Sequence, residues 1–326
     1  MKVNYQNNRD TNFKGFYNNK ALKKGLEFAA NNGTLFAATT SLALSTIRPI
    51  TVLSTPKTDK TTKNTICAKS ITSTITGYLI AVVCSLPIAN SIKKIDNNPE
   101  KYLNKDTITA LKESGKTLKE SKAYSMATQL FKLGLGCLIA APKAILTALG
   151  TPYILDLFNK NNNDYKLATE NPNGLIFKGK DKIAKGIGKS LNNKNLQNFV
   201  NKNKDSNFPL HVIAITDTIA TGAYIHQTQK SKKLKNEEKK SLIYNSIIST
   251  TLSIASTYII DRITKKHSNK FIEKYKKINF NDPNLAKQIE GIRIAKPILI
   301  AGCVYYIAIP LISTFLAGRI NYKKDH

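Results

Sequence analysis

The sequence predicts an all-α protein, a polytopic bundle of about six apolar helices set in a membrane. Three observations carry this expectation. Residues 297–318, PILIAGCVYYIAIPLISTFLAG, form an uncharged run between Lys296 and Arg319. A helix needs about 20 apolar residues to cross a bilayer. The mean hydropathy of −0.26 would suit a soluble chain, yet the apolar residues are gathered into blocks between Lys- and Asn-rich stretches. Within those blocks, small residues recur at four-residue spacing.

Residues 1–27 are polar and Asn-rich, with ALKKGLEF able to begin a short amphipathic helix. Block one is FAANNGTLFAATTSLALSTI (28–47), continuing past Arg48–Pro49. Block two is SITSTITGYLIAVVCSLPIANSI (70–92). Block three is LGLGCLIAAPKAILTALGTPYIL (133–155), and block four is PLHVIAITDTIATGAYI (209–225). Block five is SLIYNSIISTTLSIASTYII (241–260), and the uncharged run at 297–318 is block six. Blocks two, five and six reach spanning length without a charge. Blocks three and four are the doubtful spans, because a central Lys143 or Asp217 costs roughly 2.5–3.5 kcal/mol on insertion. Prolines 49, 87, 142 and 310 fall in or beside blocks. Membrane helices tolerate this better than soluble ones, because neighbours re-satisfy the freed carbonyls.

Stripes such as Ser73/Gly77/Ala81/Ser85, Gly136/Ala140/Ala144/Ala148 and Ala214/Thr218/Gly222 each lie on one helix face. Small side chains there let backbones approach, which is how apolar helices pack in lipid. The order of connector lengths suggests a 3+3 internal duplication. It divides the chain into a polar lead (1–27), a three-helix membrane half (28–157), a basic connector (158–208), a second three-helix half (209–320) and a tail (321–326). Two odd-numbered halves would face opposite ways across the membrane, as transporter repeats do.

The formal net charge is +29, carried by lysine; arginine occurs at only five positions. Base-reading proteins rely on arginine forks, so a specific nucleic-acid partner is not expected. Lysine suits solvated surface or attraction to anionic lipid. Codon bias toward Lys, Asn and Ile explains part of the charge as well. Both sets of loops are lysine-rich, so the positive-inside rule assigns no orientation.

Asp217 in AITDTIATG and Lys143 in AAPKAIL are the charges deepest in apolar surroundings. Intramembrane ionisable groups mark ion or proton paths when they pair. The plainer readings are a helix cap for Asp217 and a snorkelling stem for Lys143. Arg48 ends block one and is expected at the interface, on a lipid head group. Block five carries Ser246, Ser249, Thr250, Ser253, Ser256 and Thr257 at helical spacing, opposite Ile243, Ile247, Leu252 and Ile259. Interhelical packing is the favoured account of these hydroxyls, ahead of a wet cavity. KGIGKS (185–190) has Ile183 where a phosphate loop needs glycine, so 182–200 reads better as a basic amphipathic helix on the membrane surface or capping the bundle.

Cys67, Cys84, Cys137 and Cys303 form no CxxC pair, and the four histidines lack metal-ligand spacing. No catalytic set, metal site or cofactor is expected, and the chain is not expected to be an enzyme. The partners implied are a lipid bilayer, anionic lipid in particular, and further copies of the chain. The implied setting is a multi-pass cell membrane protein of the bacterial inner-membrane kind. The functional expectation is a small carrier or channel-like protein. A non-transporting structural or lipid-organising membrane protein is the alternative, and a soluble basic helical binding protein the third.

Overall fold

The computed structural model describes residues 17–31, 33–115, 117–159 and 180–322, and these are helical and connecting segments with no strand among them. Residues 1–16 of the polar lead, 160–179 of the connector and 323–326 of the tail lie outside the described residues. Helix α1 (Lys20–Asn31) leads into α2 (Gly33–Ser45) and α3 (Ile47–Leu53). Helix α4 (Lys60–Ile80) continues through a π turn (Ala81–Ser85) into α5 (Leu86–Asn97). Short helices α6 (Pro99–Tyr102) and α7 (Lys105–Leu111) precede α8 (Lys122–Asn159). Then come α9 (Lys180–Leu191), α10 (Lys194–Asn203), α11 (Phe208–Lys230) and α12 (Asn236–Ile278). Helix α13 (Leu285–Cys303) passes through a π turn (Val304–Ala308) into α14 (Ile309–Tyr322).

Local chemistry sets these boundaries. Asn19, Asp59 and Asn193 side chains accept backbone N–H groups at the starts of α1, α4 and α10. Helix α12 opens with Glu237 and Glu238 and closes with Lys276 and Lys277, matching the helix dipole at both ends. Both π turns stand just before an X-Pro step, Leu86–Pro87 and Ile309–Pro310. Proline removes an N–H and pushes away the carbonyl four residues back, and the helix absorbs this by widening for one turn. Pro49 falls in the first turn of α3, where its missing N–H costs nothing. It thereby marks the break between α2 and α3.

Among the described residues, four helical stretches are long and apolar enough to cross a membrane: Lys60–Asn97, Lys122–Phe158, Phe208–Lys230 and Leu285–Ile320. Blocks three and four are thus among them despite Lys143 and Asp217. Block one is not, because it breaks into helices of 13 and 7 residues. Block five is not, because its hydroxyls and Asn245 dilute it. At 1.5 Å per residue, α8 is about 57 Å long and α12 about 64 Å. Both far exceed the ~30 Å hydrocarbon core.

The middle of the bundle is polar inside and apolar outside. Thr72, Thr76, Thr147, Thr151, Asn245, Ser246, Ser249, Ser313 and Thr314 are buried, while Leu79, Leu138, Leu146, Ile215, Ile247, Ile259 and Leu299 are exposed. Leu138 is 78% exposed. Many inner hydroxyls donate back to the carbonyl one turn earlier, as Thr72 does to Ala68 and Thr147 to Lys143. This satisfies them without water.

One end is built the ordinary way, apolar inside, and forms a cap. Ile92, Ile95, Leu111, Tyr124, Ala184, Leu191 and Val200 make one core there. Helix α9 therefore caps the bundle. Gly188, from KGIGKS, lies against Tyr102, whose carbonyl oxygen would sit 2.5 Å from any Cβ at that position. The glycine serves close packing. The opposite end carries the turn 54–59 and the hairpin 231–235, with Leu155, Tyr224, Leu234 and Leu242 packed beneath.

Pairings fix the directions. Helix α8 is antiparallel to α4, with Gly150 on Thr72 and Gly77 beneath Lys143. Helix α12 runs parallel to α4 through Thr62–Ser241 and Lys69–Asn245. It runs antiparallel to α11 through Thr221–Thr250 and His211–Tyr258, and antiparallel to α13–α14 through Tyr275–Gln288 and Asn245–Ser313. Helices α1–α3 follow α13–α14, with Leu26 at Gly291 and Leu44 at Gly302. Both trios therefore run down, up, down in the same sense, not in the opposite senses expected of an inverted pair. Consequently α8 and α11 are parallel neighbours, and Asn159 and Lys180 stand at opposite ends of the bundle.

The stripes survive in part. Ala140, Ala144 and Ala148 are buried against neighbours. On α4 the buried face is Ala68, Thr72 and Thr76, one position before the expected stripe. On α11, Thr218 and Gly222 are exposed and the inner face is Ala220, Tyr224 and Thr228.

Helix α1 is clasped onto the start of α13. Lys23 Nζ donates to Asp282 Oδ2 at 2.9 Å. Buried Gln288 donates to Glu27 Oε1 (2.9 Å) and Asp282 Oδ2 (3.2 Å) and accepts from Tyr275 Oη at 2.7 Å. Burial, then the carboxylates of Asp282 and Glu27, push the Tyr275 phenol up to about 12, so it remains a donor. Lys23, followed by the Asn284 N–H, holds the Asp282 carboxyl below its usual range.

A Cβ at Gly291 would stand 2.0 Å from the Leu26 carbonyl oxygen. Gly291→Ala should therefore cost about 1–3 kcal/mol in thermal unfolding. Gly134→Ala, which meets nothing within 4 Å, should gain up to ~1 kcal/mol. Because Asp282 is depressed in the folded state, its stabilisation is complete above about pH 4 and is lost as pH falls through the folded value. Amide exchange in α1 should rise below that pH, and Lys23→Met should flatten the rise.

Candidate functional site

Two cavities of about 390 and 370 Å³ lie in the middle of the bundle and share Arg48, Asp217, Ser249 and Ser253 in their walls. The first is lined by α4, α8, α11 and α12, with Lys69, Lys143, Thr147, Thr221, Tyr224, Ser246 and Thr250 among its lining residues. The second adds Thr257, Tyr305, Tyr306 and Ile309. The structure thus brings Lys143, Asp217 and Arg48 to one place.

Each reaches it for a local reason. Arg48 sits in the first turn of α3, just past the break at Thr46, and lines both cavities. Its Nε is enclosed and has no hydrogen-bond partner. It was expected on a lipid head group, but the helix break turns it inward. Lys143 rises from α8 and passes over Gly77 of α4, where even a Cβ would meet its Nζ only at an ordinary contact distance of 3.5 Å. Asp217 comes from the inner face of α11. It shares the cavity with Lys143, and no direct ion pair joins them among the described residues.

The sequence reading missed Lys69. It stands one residue before block two, where a lysine looks like a loop residue. Lys69 Nζ donates to Asn245 Oδ1 (3.1 Å) and Ser246 Oγ (2.7 Å), and lies 4.8 Å from the centroid of the Tyr224 ring. Asn245 in turn donates to Ser313 Oγ at 3.0 Å. A neutral amide, a hydroxyl and a ring face hold this side chain, with no carboxylate at ion-pair distance among the described residues. Cation–π contact accounts for roughly 1–2 kcal/mol of its tolerance.

The hydroxyls of α12 bond within and between helices, as the packing account expects, and they also face the cavities. Ser246, Ser249, Thr250 and Ser253 line the first cavity and Thr257 the second, while Ile247 and Ile259 face outward. Some of them bond across helices too, as Thr250 does with Thr221 and Thr257 with Tyr305. Ser249 is only 8% exposed, and its Oγ has no partner. The π turn before Ile309–Pro310 carries Tyr305 and Tyr306 into the second cavity; such turns recur at functional sites because they re-aim side chains.

Electrostatically, three cationic side chains face one carboxylate, so the wall carries two positive charges in excess when all four are ionised. Among the described residues no group of three His, Cys, Asp or Glu could hold a metal. Cys67, Cys84, Cys137 and Cys303 are free thiols. The chain matches no family model, no curated protein and no solved structure.

The charge excess predicts a reagent preference. In a chain with the four native cysteines replaced by serine, Ser249→Cys should react with a sulfonate-bearing thiosulfonate at least about tenfold faster than with its trimethylammonium analogue. Thiol titration over time measures both rates. Equal rates would remove the positive field.

Proposed function

We propose that this chain is an integral membrane protein, set in a multi-pass cell membrane, that works as a small carrier or channel rather than as an enzyme. The observation that carries the reading is the inside-out middle of the bundle. Isoleucine and leucine face outward there, while hydroxyls and the side chains of Arg48, Lys69, Lys143 and Asp217 face a cavity. Water would favour the reverse. Lipid favours this arrangement, because apolar side chains cost nothing against acyl tails and polar ones must find partners inside. The bilayer, with anionic lipid at the lysine-rich ends, is the partner this implies. Paired trios of helices and an association with further copies of the chain belong to the same reading.

A second reading rests on one observation, the parallel run of α8 and α11. A chain that spans with both must return across the full thickness between Asn159 and Lys180. A basic helical protein outside the bilayer has no such requirement. The integral reading is preferred because lipid accounts for the apolar girdle and water does not.

The two separate cleanly. After alkaline carbonate extraction the chain should stay in the membrane pellet, and release into the supernatant would refute the integral reading. In proteoliposomes, the purified chain should support solute flux, and Asp217→Asn or Lys143→Met should reduce it at least about tenfold without loss of folded protein. An integral chain that passes no solute would be a structural or lipid-organising protein.

A further inference from the structure

We propose that the central cavity is a binding site for a doubly charged oxyanion of the phosphate or sulfate class, with Arg48, Lys69 and Lys143 as its cationic contacts and the Ser249 hydroxyl as a neutral donor. This rests on the reading of the chain as an integral membrane protein with a working cavity, and it names what that cavity takes.

Charge decides first. Three cations share a wall with one carboxylate, and none of the three has an acidic partner at ion-pair distance among the described residues. Uncompensated charges inside a bundle are costly, and structures that keep them pair them with something. A cation would worsen the excess, and a neutral apolar ligand would leave it in place. With all four groups ionised, a monoanion leaves one positive charge over, whereas a dianion cancels both.

Donor chemistry decides next. The enclosed Arg48 Nε and the Ser249 Oγ are buried polar atoms without partners, and both residues line the two cavities. Buried polar atoms are satisfied in the great majority of cases, so two orphans on one cavity wall point to a missing acceptor. An oxyanion offers several acceptor oxygens at once. Guanidinium, ammonium and hydroxyl groups together are the usual donors to such oxygens. The 390 Å³ volume greatly exceeds the ~30 Å³ share of a single water, leaving room for a hydrated ion or for a substituent on the oxyanion. A free dianion and a lipid phosphomonoester head group share this chemistry.

The test uses the full chain purified in neutral detergent micelles. Inorganic phosphate or sulfate at millimolar concentration should raise the midpoint of thermal unfolding by several degrees over chloride at equal ionic strength. Lys143→Met and Arg48→Gln should each weaken the apparent affinity for phosphate about tenfold or more. Asp217→Asn should strengthen it several-fold, an increase that a misfolded variant cannot produce. An equal shift with chloride, or an unchanged phosphate affinity in both cation variants, would overturn the proposal. The source is then read in nanodiscs of phosphatidylcholine with and without phosphatidic acid. Competition between phosphatidic acid and inorganic phosphate assigns the site to a head group, and its absence assigns it to a soluble dianion. Both results uphold the oxyanion site. Binding by a chain that carbonate releases would refute the membrane reading and leave the site standing. A carbonate-resistant chain that binds no oxyanion would do the opposite.

Discussion

The middle of this bundle depends on housing three basic side chains beside a single carboxyl group. Arg48, Lys69 and Lys143 share one wall with Asp217. Each centrally placed ion costs a few kcal/mol in an apolar surround, and bringing like charges together adds to that. The fold answers with neutral dipoles. Lys69 is held by Asn245, Ser246 and the Tyr224 ring. Lys143 shares its cavity wall with the hydroxyls of Thr221, Ser249 and Thr250. The inner hydroxyls follow from the same constraint, since serine and threonine can face a charge with one lone pair while donating to their own helix.

That constraint explains the division of the molecule into two kinds of construction. Where helices meet in the middle, the contacts are small and polar, with Ala144 and Ala148 packed closely and Gly150 on Thr72. At the cap end the contacts are large and apolar, with Tyr124, Leu111 and Leu191 in one cluster and Tyr275 and Ile292 in another. A protein stabilised by water-driven burial throughout would not need the difference. Apolar burial gains about 25 cal/mol per Å² only where water is displaced. The cap has that gain available, and a lipid-facing middle does not.

Much of this was legible in the chain, and the failures have physical causes. The apolar blocks announced their helices because twenty-residue runs exceed any strand. Asp217 and Lys143 were visible because a charge inside an apolar run is conspicuous. Lys69 was not, since it sits at the edge of its block among a surplus of lysines, and only its tertiary partners distinguish it. Arg48 looked interfacial because Pro49 marks an end. In the fold that end is a break within a rod, so the guanidinium points inward. The α4 stripe was displaced by one position because Ala, Ser and Thr occupy several faces at once, and spacing alone does not say which face meets a neighbour. The direction of the second trio was illegible altogether. It depends on which face of α11 meets α8, a choice made by Tyr224 and Ala220 against Ala144 and Ala148.

The same parallel pairing has a mechanical consequence. In an inverted pair of trios, the two halves can rock about a central site by exchanging roles. Here both trios run in the same sense, so such an exchange is not available by symmetry. Any opening of the cavity must come from elements that are already discontinuous. The break at Thr46 and the two π turns at Ala81–Ser85 and Val304–Ala308 are those elements. Two of them present residues to the cavities directly, Arg48 beside the first and Tyr305 and Tyr306 from the last. A ligand held by Arg48 would therefore act on a helix end and not on the middle of a rigid rod. A short helix of seven residues can turn at lower cost than α8 or α12, whose length commits them to the cap as well as the cavity.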